Sequence, residues 1–130
     1  MIVIDASAAL EVVLQTSAAA SVSARLFRPR ETLHAPHLID LEIAQILRRH
    51  ALAHRSQAAR CEVALGDWQA FAVRRYPHGA LLPRVWELRA NLTAYDAAYV
   101  ALAEALAAPL ITRDTRLAGA AGHRATIELV

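Results

Sequence analysis

This sequence has a single cysteine, no lysine and no long apolar run. One cysteine, Cys61, excludes an internal disulfide and any cysteine-rich zinc site. No apolar run approaches the roughly 20 residues that a membrane-spanning helix requires. The opening apolar residues end at Asp5 and have no basic segment before them, which is not the pattern of a signal peptide. We therefore expect a protein of the reducing cytoplasm without membrane association.

Aromatic residues are also scarce, at 5% of the chain, whereas alanine is the commonest residue. Much of the apolar content should therefore lie in tightly packed helices. All fourteen basic residues are arginine. The absence of lysine excludes a phospho-acceptor receiver domain, which also gathers aspartates at strand ends but needs a lysine beside the acceptor.

The 130 residues are 56% hydrophobic and 20% charged, which excludes intrinsic disorder. A chain of this length buries about two-thirds of its unfolded surface around one core, so we expect one domain spanning residues 1–130. The formal net charge of +2 does not by itself indicate nucleic acid. It becomes informative only if several of the twelve acids lie together and are neutralised by metal.

Short apolar segments alternate with segments of helical pattern along the chain. This alternation predicts an α/β fold, with a mostly parallel sheet of four or five strands between layers of helices. Ligands of such sheets bind beyond the carboxyl ends of the strands. The predicted strands are residues 1–4, 32–35, 109–112 and 126–130, with a short extended piece at 74–76. The predicted helices are residues 6–14, 17–27, 37–52, 55–73, 82–92 and 94–107, with a brief helix after Asp114.

Three aspartates stand at predicted element boundaries. Asp5 and Asp114 each follow a predicted strand and precede a helix, and Asp96 comes three residues after Thr93. Taken singly, each position is typical of a helix cap or a capping box. The sequence around one residue does not separate capping from chemistry.

Glu42 differs because it lies inside a predicted helix, on the face that also carries Leu38 and Ile46. A carboxylate between apolar residues is partly desolvated and should have a partner. An ordinary pairing with an arginine remains open. Asp40 points about 160° away around the helix, so it cannot serve the same site as Glu42.

Taken together, the acids predict a metal site. In a parallel sheet, the ends of the first and fourth strands meet the start of the intervening helix at one edge. Carboxylates that close need compensation, and Mg²⁺ and Mn²⁺ favour carboxylate oxygens. The hydroxyls of Ser7 and Thr112 are placed to support these carboxylates or a metal-bound water. The predicted acidic set is Asp5, Glu42, Asp96 and Asp114.

Four segments, in order along the chain, resemble PIN-domain ribonucleases and, more narrowly, the VapC toxins of VapBC toxin–antitoxin modules. They are Ile-Val-Ile-Asp5-Ala-Ser, the helix from Leu38 to Arg49, Thr93-Ala-Tyr-Asp96, and Leu-Ile-Thr-Arg-Asp114. The resemblance implies an α/β/α sandwich and a Mg²⁺- or Mn²⁺-dependent endoribonuclease that leaves 5′-phosphate and 3′-hydroxyl ends. It further implies a homodimer and a VapB-type antitoxin whose C-terminal segment blocks the acidic cleft. The acids of the family's metal-binding set correspond to Asp5, Glu42, Asp96 and Asp114.

One position departs from the family pattern. Many PIN domains carry a further acid two residues after the position of Asp114, where this chain has Arg116. The number of metal ions therefore stays open. Arg49, Arg113 and Arg116 are candidate phosphate contacts, because RNA must be drawn to an acidic pocket by nearby cations. Neutralising four carboxylates would move the effective charge from +2 to about +6.

An alternative function from the residues alone is a non-catalytic PIN-like module that binds RNA or protein and keeps the acids for structure. Other residues have plainer interpretations. His34 and His37 flank Pro36 and are predicted to lie in a loop, with no matching ligands for a transition metal. Cys61 is predicted to be a core thiol. Trp68 and Trp86 are predicted to pack in the core, with an interface as the alternative.

Overall fold

The computed structural model describes residues 1–130 and contains one five-stranded sheet. Its strands are β1 (Ile2–Ile4), β2 (Leu33–Pro36), β3 (Val73–Tyr76), β4 (Leu110–Thr112) and β5 (Ile127–Leu129). Every neighbouring pair is parallel, and the strand order is β3-β2-β1-β4-β5. The predicted α/β class with a parallel sheet is confirmed. Val73, predicted to end a helix, instead pairs with Leu33, because the chain is extended from Phe71 onward.

Seven α-helices connect the strands. They are α1 (Ala6–Val13), α2 (Ala19–Leu26), α3 (Leu38–Ala53), α4 (Ala58–Ala70), α5 (Leu82–Glu87), α6 (Ala94–Leu106) and α7 (Thr115–Ala118). Turns of 3₁₀ helix at Arg55–Gln57 and Gly79–Leu81 precede α4 and α5. The helix predicted over residues 82–92 is shorter in the structure, where α5 ends at Glu87. None of the helices combines the length and apolarity that a membrane span requires.

The order of the strands locates the functional edge of the sheet. From β1 the chain moves outward through β2 to β3, then returns to the far side of β1 as β4 and β5. Right-handed crossovers place α1 to α4 on one face and α5 to α7 on the other. Accordingly, α1 packs against α2, α3 and α4, whereas α5 packs against α6. The order reverses between β1 and β4, and a crevice forms there beyond the strand ends.

Helix α6 crosses the centre of the sheet, against β1, β2 and β4. Residues 97–103 of this helix are all buried, and four of these seven are alanines. Small side chains let the helix approach the strands closely without leaving voids. This packing fixes the start of α6, and with it Asp96, at the carboxyl edge of the sheet.

The side-chain predictions for the core are partly confirmed. Cys61 and Trp68 are buried, as predicted. Trp86 was predicted to pack in the core and is 69% exposed, because Val85 and Leu88 occupy the buried side of that segment. The loop prediction for His34 is also wrong. This residue is buried in β2, where its ring nitrogens bond the hydroxyls of Tyr76 and Thr32 at 2.8 and 2.9 Å.

Candidate active site

Asp5 lies at the end of β1 and caps α1. Its Oδ1 accepts hydrogen bonds from the backbone N–H of Ala8 at 3.0 Å and from the Ser7 hydroxyl at 2.7 Å. Its Oδ2 accepts from the Thr112 hydroxyl, at the end of β4, at 2.5 Å. The carboxylate is thus a helix cap and, at the same time, the link between the two central strands.

Asp114 and Asp96 begin the two helices on the other side of the crevice. Asp114 caps α7 by accepting from the backbone N–H groups of Arg116 and Leu117, at 2.8 and 3.4 Å. Asp96 lies in the first turn of α6, where its own N–H donates to the Thr93 hydroxyl at 3.1 Å. Asp114 is a helix cap, as predicted, whereas for Asp96 only the Thr93 half of the capping box is formed. Both carboxylates line the same cavity as Asp5.

Glu42 reaches this edge from α3, on the opposite face of the sheet from α6. The partner expected from its half-buried position is the hydroxyl of Tyr99, which donates to Glu42 Oε2. The arginine pairing that was left open is absent. Asp40 lies away from the site, as its helical angle predicts, and there binds Trp68 and Arg75.

An open cavity of about 500 Å³ lies over the switch between β1 and β4. All four predicted acids line it, so folding brings together groups that are far apart in the chain. Apolar side chains from α3 and the ring of Tyr95 form part of its wall. The residues that line the cavity include Asp5, Ser7, Leu38, Leu41, Glu42, Ile46, Arg49, Tyr95, Asp96, Tyr99 and Asp114.

The cavity offers oxygen donors only, because it contains no histidine or cysteine. Oxygen donors suit hard cations such as Mg²⁺ and Mn²⁺, so the donor set fits the predicted metals by type. No three histidine, cysteine, aspartate or glutamate side chains lie close enough together to hold a metal ion between them. The tight cage expected from the sequence is therefore not formed. Local partners instead hold individual carboxylates, namely the α1 cap for Asp5 and the Tyr99 hydroxyl for Glu42.

Burial dominates the electrostatics of three of these acids. Burial raises the pKa of Asp5, although three hydrogen bonds favour its charged form, and the Asp114 carboxylate adds to the rise. Burial likewise raises the pKa of Glu42 against the Tyr99 hydrogen bond, with Asp5 and Asp96 adding repulsion. The pKa of Asp96 is raised by burial and by the charge of Asp114. These three carboxylates are poorly compensated negative charges.

Asp114 is the exception among the four. Burial pushes its pKa up, but two backbone N–H groups of α7 and the guanidinium of Arg116 together hold that pKa below its usual value. The Arg116 guanidinium lies 3.5 Å from Asp114 Oδ2 while the rest of its side chain is exposed. Arg116 thus places a positive charge at the rim of the acidic cavity.

The other two arginine candidates differ in how they are held. Arg49 lines the cavity, is exposed and forms no ion pair. Arg113 pairs with Glu11 at 3.3 Å and also donates to the carbonyl of Val130. Its backbone N–H donates to the Ser7 hydroxyl at 2.8 Å. Of the three candidates, Arg49 is therefore the one that lines the cavity without an ion-pair partner.

Sequence reasoning missed Tyr99, which lines the cavity and holds Glu42. A signal was present, because Tyr99 follows Asp96 by three residues and so shares its helical face. A tyrosine on an otherwise apolar and alanine-rich helix is expected to pack in the core, and its ring is indeed buried. The partner of its hydroxyl, Glu42 on α3, becomes evident only when the packing of α3 is known.

Comparison with known proteins agrees with this architecture. A family model described as PIN domain matches residues 2–122. The chain is 49% identical over 130 residues to the VapC ribonuclease Mb0985 of Mycobacterium bovis, which covers 100% of this chain and 98% of the relative. It is 44% identical over 130 residues to ribonuclease VapC12 of Mycobacterium tuberculosis, covering 100% and 99%. This chain belongs to the VapC family of PIN domains.

Two solved structures share the fold of this chain. PAE2754 from Pyrobaculum aerophilum superposes with a TM-score of 0.69 at 26% identity, covering 97% of this VapC-family chain and 81% of the other. VapC20 of Mycobacterium tuberculosis, a toxin that cleaves the sarcin–ricin loop, superposes with a TM-score of 0.67. Its identity is 18%, with 95% and 97% of the two chains covered, so this second likeness concerns the fold alone.

Proposed function

We propose that this VapC-family chain, residues 1–130, is the toxin of a toxin–antitoxin module and hydrolyses RNA phosphodiester bonds as an endoribonuclease. One observation carries the proposal: four acids from separate elements line a single cavity at the switch point of the sheet. Full-length identity of 49% to a VapC ribonuclease supports it. The alternative, a non-catalytic binding module, is disfavoured because structure alone does not require three poorly compensated carboxylates in one cavity.

The proposed activity depends on Mg²⁺ or Mn²⁺. Asp5, Asp96 and Asp114 line the same cavity and would hold the cation once their carboxylates move closer together around it. The hydroxyls of Ser7 and Thr112 donate to Asp5 and would orient it. When bound, such a cation makes water more acidic and offsets the negative charge that develops on the phosphate.

Glu42 has a separate part in the proposed reaction. Its apolar surroundings raise its pKa, which makes it a better proton acceptor than an exposed glutamate. We assign to Glu42 a place beside the cation, where it would orient the attacking water, accept its proton and add to the negative charge that attracts the cation. Coordination of a second ion by Glu42 is the competing assignment.

RNA and protein partners follow from the charges around the cavity. Arg49, Arg113 and Arg116 would contact the phosphate backbone, with Arg49 the best placed because it is unpaired inside the cavity. A VapB-type antitoxin would inhibit the enzyme by covering the acidic cleft, whose wall is partly apolar. We further propose that the functional unit is a cytoplasmic homodimer.

A cleavage assay with one catalytic variant and one matched control tests the proposal. Purified protein is incubated with structured and single-stranded RNA in Mn²⁺ or in EDTA. Asp96→Asn should reduce cleavage by about 10³-fold or more, because a bound cation contributes several kcal/mol to the transition state. Asp67→Asn, on the exposed side of α4, makes the same change of charge and should leave cleavage intact.

The outcomes separate the parts of the proposal. Full cleavage in EDTA would refute metal dependence. Full cleavage by Asp96→Asn would refute this site while leaving another nuclease site to be found. No cleavage by the wild-type protein on any RNA, with Mn²⁺ present, would favour the binding-module alternative.

A further inference from the structure

The hydroxyl of Tyr99 is the one group that fixes the side chain of Glu42. Tyr99 is only 1% exposed, and its ring is buried in α6 against the sheet. Its hydroxyl donates to Glu42 Oε2 and has no other partner. Glu42 Oε1 accepts no hydrogen bond from the protein, so this oxygen remains free at the cavity.

Glu42 needs such support more than the neighbouring aspartates do. Asp5 and Asp114 are short side chains at helix starts, where unpaired backbone N–H groups bond their carboxylates. Glu42 has a longer side chain and lies within α3, where the backbone N–H groups are already used by the helix. A contact from another element is therefore required to hold its carboxylate in one place.

The contact also joins the two layers of the fold. Helix α3 packs on one face of the sheet and α6 on the other, and both reach the carboxyl edge beside β1. The bond from Tyr99 to Glu42 spans this edge, and Asp5 lines the same cavity. Asp96, three residues before Tyr99, is carried by the same helix. One rigid helix thus supplies an acid to the cavity and orients a second acid from the opposite layer.

We propose that Tyr99 is a positioning residue of this site, whose hydroxyl holds Glu42 in the cavity with Oε1 free for a cation or for water. This inference rests on the proposed ribonuclease function. It assigns to Tyr99 no contact with RNA or with the reacting atoms, because the ring is buried. Its effect on the site passes entirely through Glu42.

Direct measurement of Mn²⁺ binding tests the role without RNA. Free Mn²⁺ is followed by its electron paramagnetic resonance signal during titration of the wild-type protein and of Tyr99→Phe. Loss of an outer hydrogen bond of this kind weakens metal binding or activity by about tenfold to a hundredfold, and we expect about tenfold here in both. Tyr76→Phe is the matched control. It removes a hydroxyl that lies outside the cavity, where it forms a 2.8 Å hydrogen bond with His34. That control should bind Mn²⁺ and cleave RNA like the wild type.

A double-mutant cycle distinguishes positioning from general stability. In a Glu42→Gln background, Tyr99→Phe should cause no further loss of Mn²⁺ binding or cleavage, because the two changes act on one interaction. Glu42→Asp provides a second probe should Tyr99→Phe fold poorly. It keeps the charge but withdraws the carboxylate from the Tyr99 hydroxyl, so Mn²⁺ binding and cleavage should each fall by about tenfold relative to the wild type.

Three results would overturn the inference. They are unchanged Mn²⁺ binding and cleavage in Tyr99→Phe, equal losses in Tyr99→Phe and Tyr76→Phe, and additive losses in the double variant. Failure of the wild-type protein to cleave any RNA would instead count against the proposed function. The Mn²⁺ titrations would still decide whether Tyr99 positions Glu42.

Discussion

Three of the acids that line the cavity have a raised pKa, whereas partly buried acids elsewhere in the molecule have a lowered one. Away from the cavity, arginines bond the partly buried carboxylates: Arg84 meets Glu104 at 2.7 Å, and Arg25 meets Glu128 at 2.7 Å. These bonds lower the pKa of Glu104 and of Glu128. Inside the cavity, burial raises the pKa of Asp5, Glu42 and Asp96. The carboxylates whose pKa is raised by burial, with no arginine paired to them, are therefore those of the cavity.

This difference indicates where stability has been given up for function. A paired carboxylate contributes to folding, whereas a buried carboxylate without a cation opposes it. Asp114 marks the boundary between the two kinds, since it faces the cavity but is compensated by the α7 backbone and by Arg116. Neutral substitutions in the two sets of acids should therefore change stability in opposite directions.

The change Asp5→Asn should separate activity from stability. Cleavage should fall by about 10³-fold or more, because a proposed metal ligand is lost. Asparagine can still accept the Ala8 N–H bond that caps α1, so the fold should survive. The metal-free variant should also melt a few degrees higher than the wild type at neutral pH, about 3 °C, since an unpaired buried charge is removed.

The pH dependence of this stability gain has a defined sign. The pKa of Asp5 is higher in the folded protein than its ordinary value of 3.8, so the folded state binds more protons. The wild-type protein therefore loses stability as pH rises from that ordinary value through the raised one, and Asp5→Asn does not lose this contribution. Melting curves in EDTA between about pH 4 and about pH 8 measure the difference, which should grow with pH and then level. An Asp5→Asn variant that melts below the wild type at neutral pH would contradict the comparison.

Glu104→Gln should show the opposite behaviour. Glu104 accepts from Arg84 through both oxygens, at 2.7 and 3.0 Å, and also from the backbone N–H of Arg124. Its lowered pKa adds stability above the ordinary value of 4.5, and this stability is lost as pH falls through the lowered value. We expect the variant to melt about 5 °C lower at neutral pH while cleaving RNA normally.

Glu87→Gln is the matched control for Glu104→Gln. Glu87 pairs with the same Arg84, at 2.8 Å, but its side chain is 63% exposed. Exposed pairs contribute little to stability, so this variant should melt within about one degree of the wild type. Equal losses in the two variants would show that burial of Glu104 does not matter.

Arg49→Gln should have the smallest effect and should concern RNA alone. Arg49 lines the cavity and has no ion-pair partner, so its loss should reduce cleavage efficiency several-fold. The slope of log RNA affinity against log salt concentration should become smaller by about one, which corresponds to one phosphate contact. Mn²⁺ binding should not change. Arg48→Gln removes the neighbouring exposed charge, about 100° around α3 and outside the cavity, and serves as the control. Equal salt slopes for the two variants would argue against a phosphate contact at Arg49.

The predictions from sequence that were confirmed and those that were wrong differ for one physical reason, which is whether the feature is local. The positions of Asp5, Asp96 and Asp114 could be predicted because strand ends and helix starts are local features. Capping residues lie within three residues of the backbone groups that they bond, so they are visible in the sequence. Trp86 and His34 could not be placed, because burial of a single side chain depends on which neighbours compete for the same space. Val85 and Leu88 exclude Trp86 from the core, and the Tyr76 hydroxyl makes burial of His34 acceptable.

The alternation of strands and helices, the parallel sheet and the four acids at its edge could all be predicted from local sequence patterns. Hydrophobic periodicity and capping are short-range properties, so one chain segment carries enough information to specify them. Three features depend on the tertiary structure: Glu42 accepts a hydrogen bond from Tyr99, Arg49 lines the cavity, and the partly buried acids outside it pair with arginines. Those outcomes depend on how helices from opposite faces pack around the sheet, and no local pattern encodes the distance between such side chains.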